Sequence, residues 1–238
     1  MNCLVTGGSR GIGRAVAHEL ARKGYGVTLC ARNRELLEAT RGELACVAEN
    51  QRHDTWALDM ADLTQLAQLD PPKPLGQYQH FINCAGVAGT GLALMQTPSS
   101  IEKILTINLH APIMLAKTVA RAMLRTRSSD MKHIVFLSSV LAQRGMAGSA
   151  IYSASKAGLE GFTRSFAREV GRKQIAVNCV APGLVDTEMG LAGDPKMMDT
   201  NIFPGYVSPD SVTETVMFLL NSSSITGQSL VIDNGLSA

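Results

Sequence analysis

Two rhythms of apolar residues alternate along this chain. Short runs rich in valine, isoleucine, leucine and cysteine, at 3–6, 26–31, 55–58, 80–84, 133–137, 175–180 and 229–232, read as strands. Between them lie stretches with apolar positions three and four apart, at 14–21, 33–49, 63–69, 101–124, 152–171 and 210–220, which read as helices. Pro71, Pro72 and Pro74 cut the third helix short and open a loop, because proline can neither donate to a helix nor fit its interior. Regular alternation of strand and helix predicts an α/β fold with a doubly wound, seven-stranded parallel sheet and helices on both faces. No internal repeat or low-complexity segment interrupts it, so residues 1–238 are expected to form one domain.

Composition narrows the classes of function. The chain is 45% hydrophobic with 22 glycines and only 18% charged residues, as expected of a compact protein. A net charge of +2 is too small and too scattered to point to nucleic acid. No apolar run is long enough to span a membrane, and with a strand-like stretch starting at Asn2 no cleavable leader is expected within the sequence. An intracellular setting, cytoplasmic or mitochondrial, follows as an expectation. Cys3, Cys30, Cys46, Cys84 and Cys179 show no metal-ligand spacing and are expected to be reduced thiols used for packing; no metal is anticipated.

Two stretches carry chemistry. Thr6 leads into Gly7-Gly8-Ser9-Arg10-Gly11-Ile12-Gly13 between a strand and a helix. Glycines there permit a tight turn and close approach to a pyrophosphate, and the helix start offers it partial positive charge. At the end of the second strand, where an acidic residue would hold a free ribose 2′-OH, stand Ala31 and Arg32. With Arg10 nearby, two guanidinium groups suit a 2′-phosphate, and the expected cofactor is NADP(H). The other stretch is Ser149-Ala150-Ile151-Tyr152-Ser153-Ala154-Ser155-Lys156, where a phenol and an ammonium lie one helical turn apart. An adjacent cation should pull the phenol below its ordinary pKa of about 10. Taken alone, Tyr-x-x-x-Lys reads first as an ordinary helix with a half-buried tyrosine and a solvated lysine.

In context the chain resembles the short-chain dehydrogenase/reductase family over nearly its whole length. The resemblance rests on Thr6-Gly7-x-x-x-Gly11-x-Gly13, Asp59, Asn83-Cys84-Ala85-Gly86, Asn108, Ser138-Ser139, Tyr152-x-x-x-Lys156, Asn178-x-x-Ala181-Pro182-Gly183, Val185-x-Thr187 and Thr226-Gly227. It implies a single Rossmann-type domain in which Ser139 and Tyr152 act on a substrate carbonyl. Lys156 would tune Tyr152 and hold the nicotinamide ribose, and Asn108 would anchor a water that reprotonates it. The cofactor would lie along Gly7, Ser9, Arg10, Gly11, Ile12, Gly13 and Arg32, with Asp59 and Met60 at the adenine. Asn83, Ala85 and Gly86 would line its cleft, and Pro182, Gly183, Val185 and Thr187 would surround the nicotinamide. A non-catalytic NADPH-binding scaffold is the alternative from another class, and the intact Asn108, Ser139, Tyr152 and Lys156 set speaks against it.

Within the family the chain is most similar to 3-oxoacyl-[acyl-carrier-protein] reductases, with a broad NADPH carbonyl or quinone reductase as the second reading. An acidic carrier protein would dock on Arg125, Arg127, Arg172 and Lys173, and a homotetramer would form through the two long helices, where Leu115, Val119, Phe162 and Phe166 fit either an interface or the core. A substrate lid is expected near 187–209, with Met189, Met197 and Met198 as candidate pocket residues. Departures from the family pattern are Cys84 beside Asn83, Asn234 in Asp233-Asn234-Gly235, and Tyr206 where related reductases often place arginine.

Overall fold

The computed structural model describes residues 1–126, 130–193 and 195–238, with side chains from 198 onward in the last stretch. Arg127 and the side chain of Met197 lie outside the described residues. Strands β1 (Asn2–Thr6) and β2 (Gly26–Ala31) flank helix α1 (Gly11–Arg22), and α2 (Arg34–Glu43), β3 (Asp54–Ala57) and the short α3 (Leu63–Ala67) follow. Next come β4 (Tyr78–Asn83), α4 (Pro98–Leu105), one π-helical turn (Thr106–His110) and α5 (Ala111–Met123). The chain then runs through β5 (Lys132–Leu137), α6 (Ala150–Val170), β6 (Ile175–Pro182), α7 (Glu188–Leu191), α8 (Pro209–Asn221) and β7 (Ser229–Ile232).

All pairings are parallel, in the order β3-β2-β1-β4-β5-β6-β7. This is the expected seven-stranded, Rossmann-type sheet. Its strands read as continuous apolar runs because both faces are covered. Leu4, Phe81, Ile134 and Val177 point to one helical layer, where they pack with Leu115, Val119, Leu159 and Phe166. Cys3, Val5, Ile82 and Val135 point to the other, with Val16, Leu20, Leu37 and Val216. Leu115, Val119 and Phe166 are therefore buried in the core of one chain, and Phe162 packs against it.

Two helices differ from the sequence expectation. The helix expected to run to residue 49 stops at Glu43, and the following loop wraps around buried Gln51. That side chain accepts from Val47 N and Ala48 N and donates to Ala21 O and Tyr25 O, replacing helical bonds with equally satisfied loop bonds. The expected helix at 101–124 is broken by the π turn, in which Ala111 N reaches Thr106 O. Pro112 has no N–H for the carbonyl four residues before it, that of Asn108, so the α-helical ladder cannot continue unbroken there.

At the edge of the sheet where the strands begin, His80 of β4 and His133 of β5 are register partners with ring centroids 5.1 Å apart. Both are buried, and neither Nδ1 finds a hydrogen-bond partner among the described residues. Burial holds His80 down at about 3 and His133 at about 4. The unfolded chain takes up protons below about pH 6.5 that the folded one refuses, so stability is complete above that pH and falls by about 1.4 kcal/mol per pH unit per histidine as the pH drops toward 4. Urea unfolding of a His80→Leu, His133→Leu variant is expected to show a clearly shallower loss of stability between pH 6.5 and 4 than the wild-type chain. An unchanged slope would show that the pair is not the source.

Candidate active site

The chain leaves β1 toward β2 and returns to pair β4 on its other side, which opens a crevice at the carboxyl ends of these two strands. The glycine turn forms its floor. Gly7 has φ +66°, and a Cβ on Gly13 would lie 2.3 Å from Gly7 O, so α1 starts against the turn only because both residues lack side chains. No acidic residue occupies the first turn of α1 and Arg10 makes no capping bond, which leaves the positive end of the helix directed at the crevice. A cavity of about 630 Å³ follows, lined by Gly7, Ser9, Arg10, Gly11, Ile12, Gly13, Arg32, Asp59, Met60, Ala85, Gly86 and Thr187. Asn33, Leu36, Leu58, Val87 and Ile107 line it as well. Each of these is near in sequence to a motif residue, but none carries a signal of its own. A glycine-floored groove of this size, open to two arginines and a helix start, fits a dinucleotide with an extra phosphate.

Beside this cavity the Tyr152 helix, the π turn and the loop after β4 are locked together by Asn108. Its side chain is fully buried; Oδ1 accepts from Val87 N at 2.8 Å, while Nδ2 donates to Val87 O at 3.0 Å and Ser155 Oγ at 3.2 Å. Lys156 is also buried, and its ammonium donates to Leu137 O at 2.7 Å. A Cβ on Gly86 would come within 3.4 Å of Lys156 Nζ, so this glycine keeps the approach to the ammonium open. Ser139 Oγ accepts from Leu141 N at 3.2 Å, and its hydroxyl stands beside the Tyr152 phenol, where it acts to lower the phenol's pKa. The hydroxyl of its neighbour Ser138 turns the other way, donating to Glu160 at 2.9 Å. Adjacent residues in extended backbone point to opposite faces, which separates the two serines.

Tyr152, Ser138 and Ser139 line a second cavity of about 150 Å³ with Pro182, Gly183, Val185 and Thr187. It shares Ile12, Thr187 and Met189 with the larger one, so the two meet there. The remaining wall is mostly apolar and includes Val140, Leu141, Met146 and Leu184. The segment 187–206 is pinned at its base by Val207 N to Leu184 O at 2.8 Å and Asp186 N to Val207 O at 2.9 Å. Its first turn leans over the glycine turn, where Arg10 meets Glu188 at 2.9 Å.

The chain matches the short chain dehydrogenase family over residues 1–197. It is 38% identical over 237 residues to the 3-oxoacyl-[acyl-carrier-protein] reductase of Homo sapiens, covering 98% of this chain and 97% of that one. Carbonyl reductase family member 4 of Danio rerio is also 38% identical, over 235 residues, with 98% and 96% covered. Among solved structures, a short chain dehydrogenase from Burkholderia cenocepacia in complex with NADP superposes with a TM-score of 0.88 at 31% identity, covering 99% of this chain and 97% of its own. The chain belongs to the short chain dehydrogenase family. It is accordingly an oxidoreductase of that family.

Several site expectations are corrected by the short chain dehydrogenase fold itself. The Tyr152 phenol is pushed up rather than down: burial raises it, and only the Ser139 hydrogen bond acts in the opposite direction. The ammonium of Lys156 is turned to the Leu137 carbonyl, 5.8 Å from the centre of the tyrosine ring, and burial lowers it to about 8. Asn83 does not line the cleft. It is fully buried and accepts from Thr6 Oγ1 at 2.8 Å, bracing the ends of β1 and β4 from behind. Cys84, expected to be packing alone, is half-buried and lines the larger cavity, whereas Cys46 is exposed. Of the lid methionines Met189 lines both cavities and Met198 neither. Arg125, Arg172 and Lys173 are exposed just before β5 and β6 begin, at the opposite edge of the sheet from the cleft.

The buried ammonium offers a direct check. In the cofactor-free protein, NMR titration of labelled lysines should find Lys156 losing its proton near pH 8, about two units below the surface lysines. Titration with the surface set would show that its environment is solvated.

Proposed function

We propose that this chain is an NADPH-dependent ketoreductase that reduces a 3-oxoacyl group on acyl-carrier protein to the 3-hydroxyacyl form, as in fatty acid synthesis. One observation carries the chemistry. A phenol held protonated at neutral pH and a serine hydroxyl converge in a small cavity that opens onto a dinucleotide-sized groove. NADPH, when bound, supplies the hydride. Tyr152 donates the proton as negative charge grows on the carbonyl oxygen, and Ser139 directs a second hydrogen bond to the same oxygen. Raised above its usual range, the phenol stays protonated at neutral pH and so carries the proton that reduction of a carbonyl requires. Lys156, near neutral-range titration, can return a proton to Tyr152. Asn108 has its side chain fully engaged, so a relay water would be held by its main-chain carbonyl, which Pro112 leaves without an α-helical donor.

Arg10 and Arg32 border the groove where the 2′-phosphate of NADP(H) would lie, with Asp59 and Met60 near the adenine. Pro182, Gly183, Val185 and Thr187 would surround the nicotinamide, with the segment near 187–209 as the lid. The substrate reading is supported by the relative named 3-oxoacyl-[acyl-carrier-protein] reductase and by the apolar wall of the small cavity, which suits an acyl chain. The relative named for carbonyl reduction supports a broader ketone and quinone reductase as the second reading. The homotetramer belongs to the same proposal; the first half of α6 exposes small residues at Ala154 and Ala157, over which another helix can approach closely, before Arg164 and Arg168. Since Arg125, Arg172 and Lys173 lie away from their own cleft, carrier docking on them is not supported within a single chain.

Replacing Tyr152 by Phe is expected to lower turnover by about 10²–10⁴-fold while NADPH affinity stays within a few-fold. Wild-type turnover in that variant would overturn the proton-donor role. The substrate is tested by following cofactor oxidation with acetoacetyl-carrier protein against a panel of free ketones and quinones, with NADH in parallel. Strong preference for the carrier-bound substrate and for NADPH is expected; indifference to the carrier would favour the second reading, and preference for NADH would sink the arginine assignment.

A further inference from the structure

Glu160 is a carboxylate buried to 5% exposure in the middle of α6, and among the described residues it has no cationic partner. A carboxylate in such a place is held only if its oxygens accept enough hydrogen bonds. Here Oε1 accepts from Ser138 Oγ at 2.9 Å and Ser229 Oγ at 2.7 Å, and Gln143 Nε2 bridges both oxygens at 3.3 and 3.2 Å. Each hydroxyl has one proton to give. Ser138 gives its proton to the carboxylate, since its other acceptor, the Lys156 carbonyl, is 3.5 Å away. Two of the three donors bracket a single segment. Ser138 immediately precedes Ser139, and Gln143 closes the one-turn helix that starts from it, with Ala142 N bonded to Ser139 O and Gln143 N to Val140 O. The third donor, Ser229, ties the same carboxylate to the first residue of β7.

We propose that Glu160 is a positioning residue for Ser139: by gripping Ser138 and Gln143, its carboxylate fixes the 138–143 segment so that the Ser139 hydroxyl faces the Tyr152 phenol. The inference rests on the roles proposed above for Ser139 and Tyr152. The geometry is specific because consecutive side chains diverge. Holding Ser138 toward α6 holds Ser139 toward the small cavity. Without the carboxylate, Ser138 has the Lys156 carbonyl to turn to and Gln143 loses its anchor, so the segment gains freedom and the second hydrogen bond to a reacting oxygen is no longer preset.

A double-mutant cycle decides it, with turnover measured at saturating NADPH and ketone, cofactor affinity measured by fluorescence, and folding checked by thermal melting. Glu160→Gln keeps the shape but exchanges an acceptor for a donor that opposes Gln143. Its turnover is expected to fall about 5- to 20-fold with NADPH affinity within twofold. In a Ser139→Ala background the same substitution should change turnover less than twofold, because the residue it positions is gone. An equal fall in both backgrounds, or no fall in either, would overturn the proposal. If Glu160→Gln does not fold, exposed Gln143→Ala asks the same question: a smaller loss is expected that again vanishes with Ser139→Ala, and a loss that persists would overturn it. Wild-type turnover in Ser139→Ala alone would instead refute the role proposed for Ser139, an outcome separable from the positioning step.

Discussion

Three walls of the cleft are joined through one buried amide, that of Asn108. Its oxygen and nitrogen pair with the N–H and C=O of Val87 as a neighbouring strand would, and its nitrogen also reaches Ser155 on α6. The loop after β4, the π turn and the Tyr152 helix thereby share a single reference point. An amide can do this because it carries a donor and an acceptor in one plane, and leaving either unpaired in so buried a place costs about 1–3 kcal/mol. The π turn is the backbone's accommodation to that demand and to Pro112, two residues beyond the turn's end. A side chain on Gly86 would crowd both this amide and the Lys156 ammonium.

Around that brace the site suppresses charge. Lys156 is drawn down by burial and Tyr152 is drawn up, so both move toward their neutral forms. The free protein therefore holds a protonated acid beside a weakened ammonium rather than a phenolate–ammonium pair. Desolvation outweighs the attraction between the two because the ammonium is spent on the Leu137 carbonyl. Glu160 shows the complementary solution, a carboxylate kept among neutral donors on the reverse face of the same strand end.

The departures from the family pattern acquire physical meaning in the fold. Asn234 takes φ 56°, the left-handed conformation for which glycine is the usual choice and asparagine the common substitute. In exchange its amide donates to Gly205 O at 3.1 Å, while its carbonyl accepts from Phe203 N at 2.9 Å. The segment 187–206 is thus tied to the turn after β7 as well as pinned at its base.

Strand and helix order, the glycine turn and the one-turn spacing of Tyr152 and Lys156 were legible in the sequence, because periodicity and spacing are set by near neighbours along the chain; Ser139 and Asn108 were singled out only by the resemblance to the family. The position of Arg125, Arg172 and Lys173 was legible too in principle: a helix that ends just before a strand begins lies at the edge opposite the strand's carboxyl end. What the linear sequence left open depended on distance and burial between remote segments. Only the packed sheet sends Ser138 to Glu160 and Ser139 to Tyr152, hides Asn83 behind the cleft, and turns Lys156 to Leu137. A four-residue spacing brings a tyrosine and a lysine onto one helical face. Whether the lysine lowers the phenol or burial raises it is decided by the water that the rest of the fold removes.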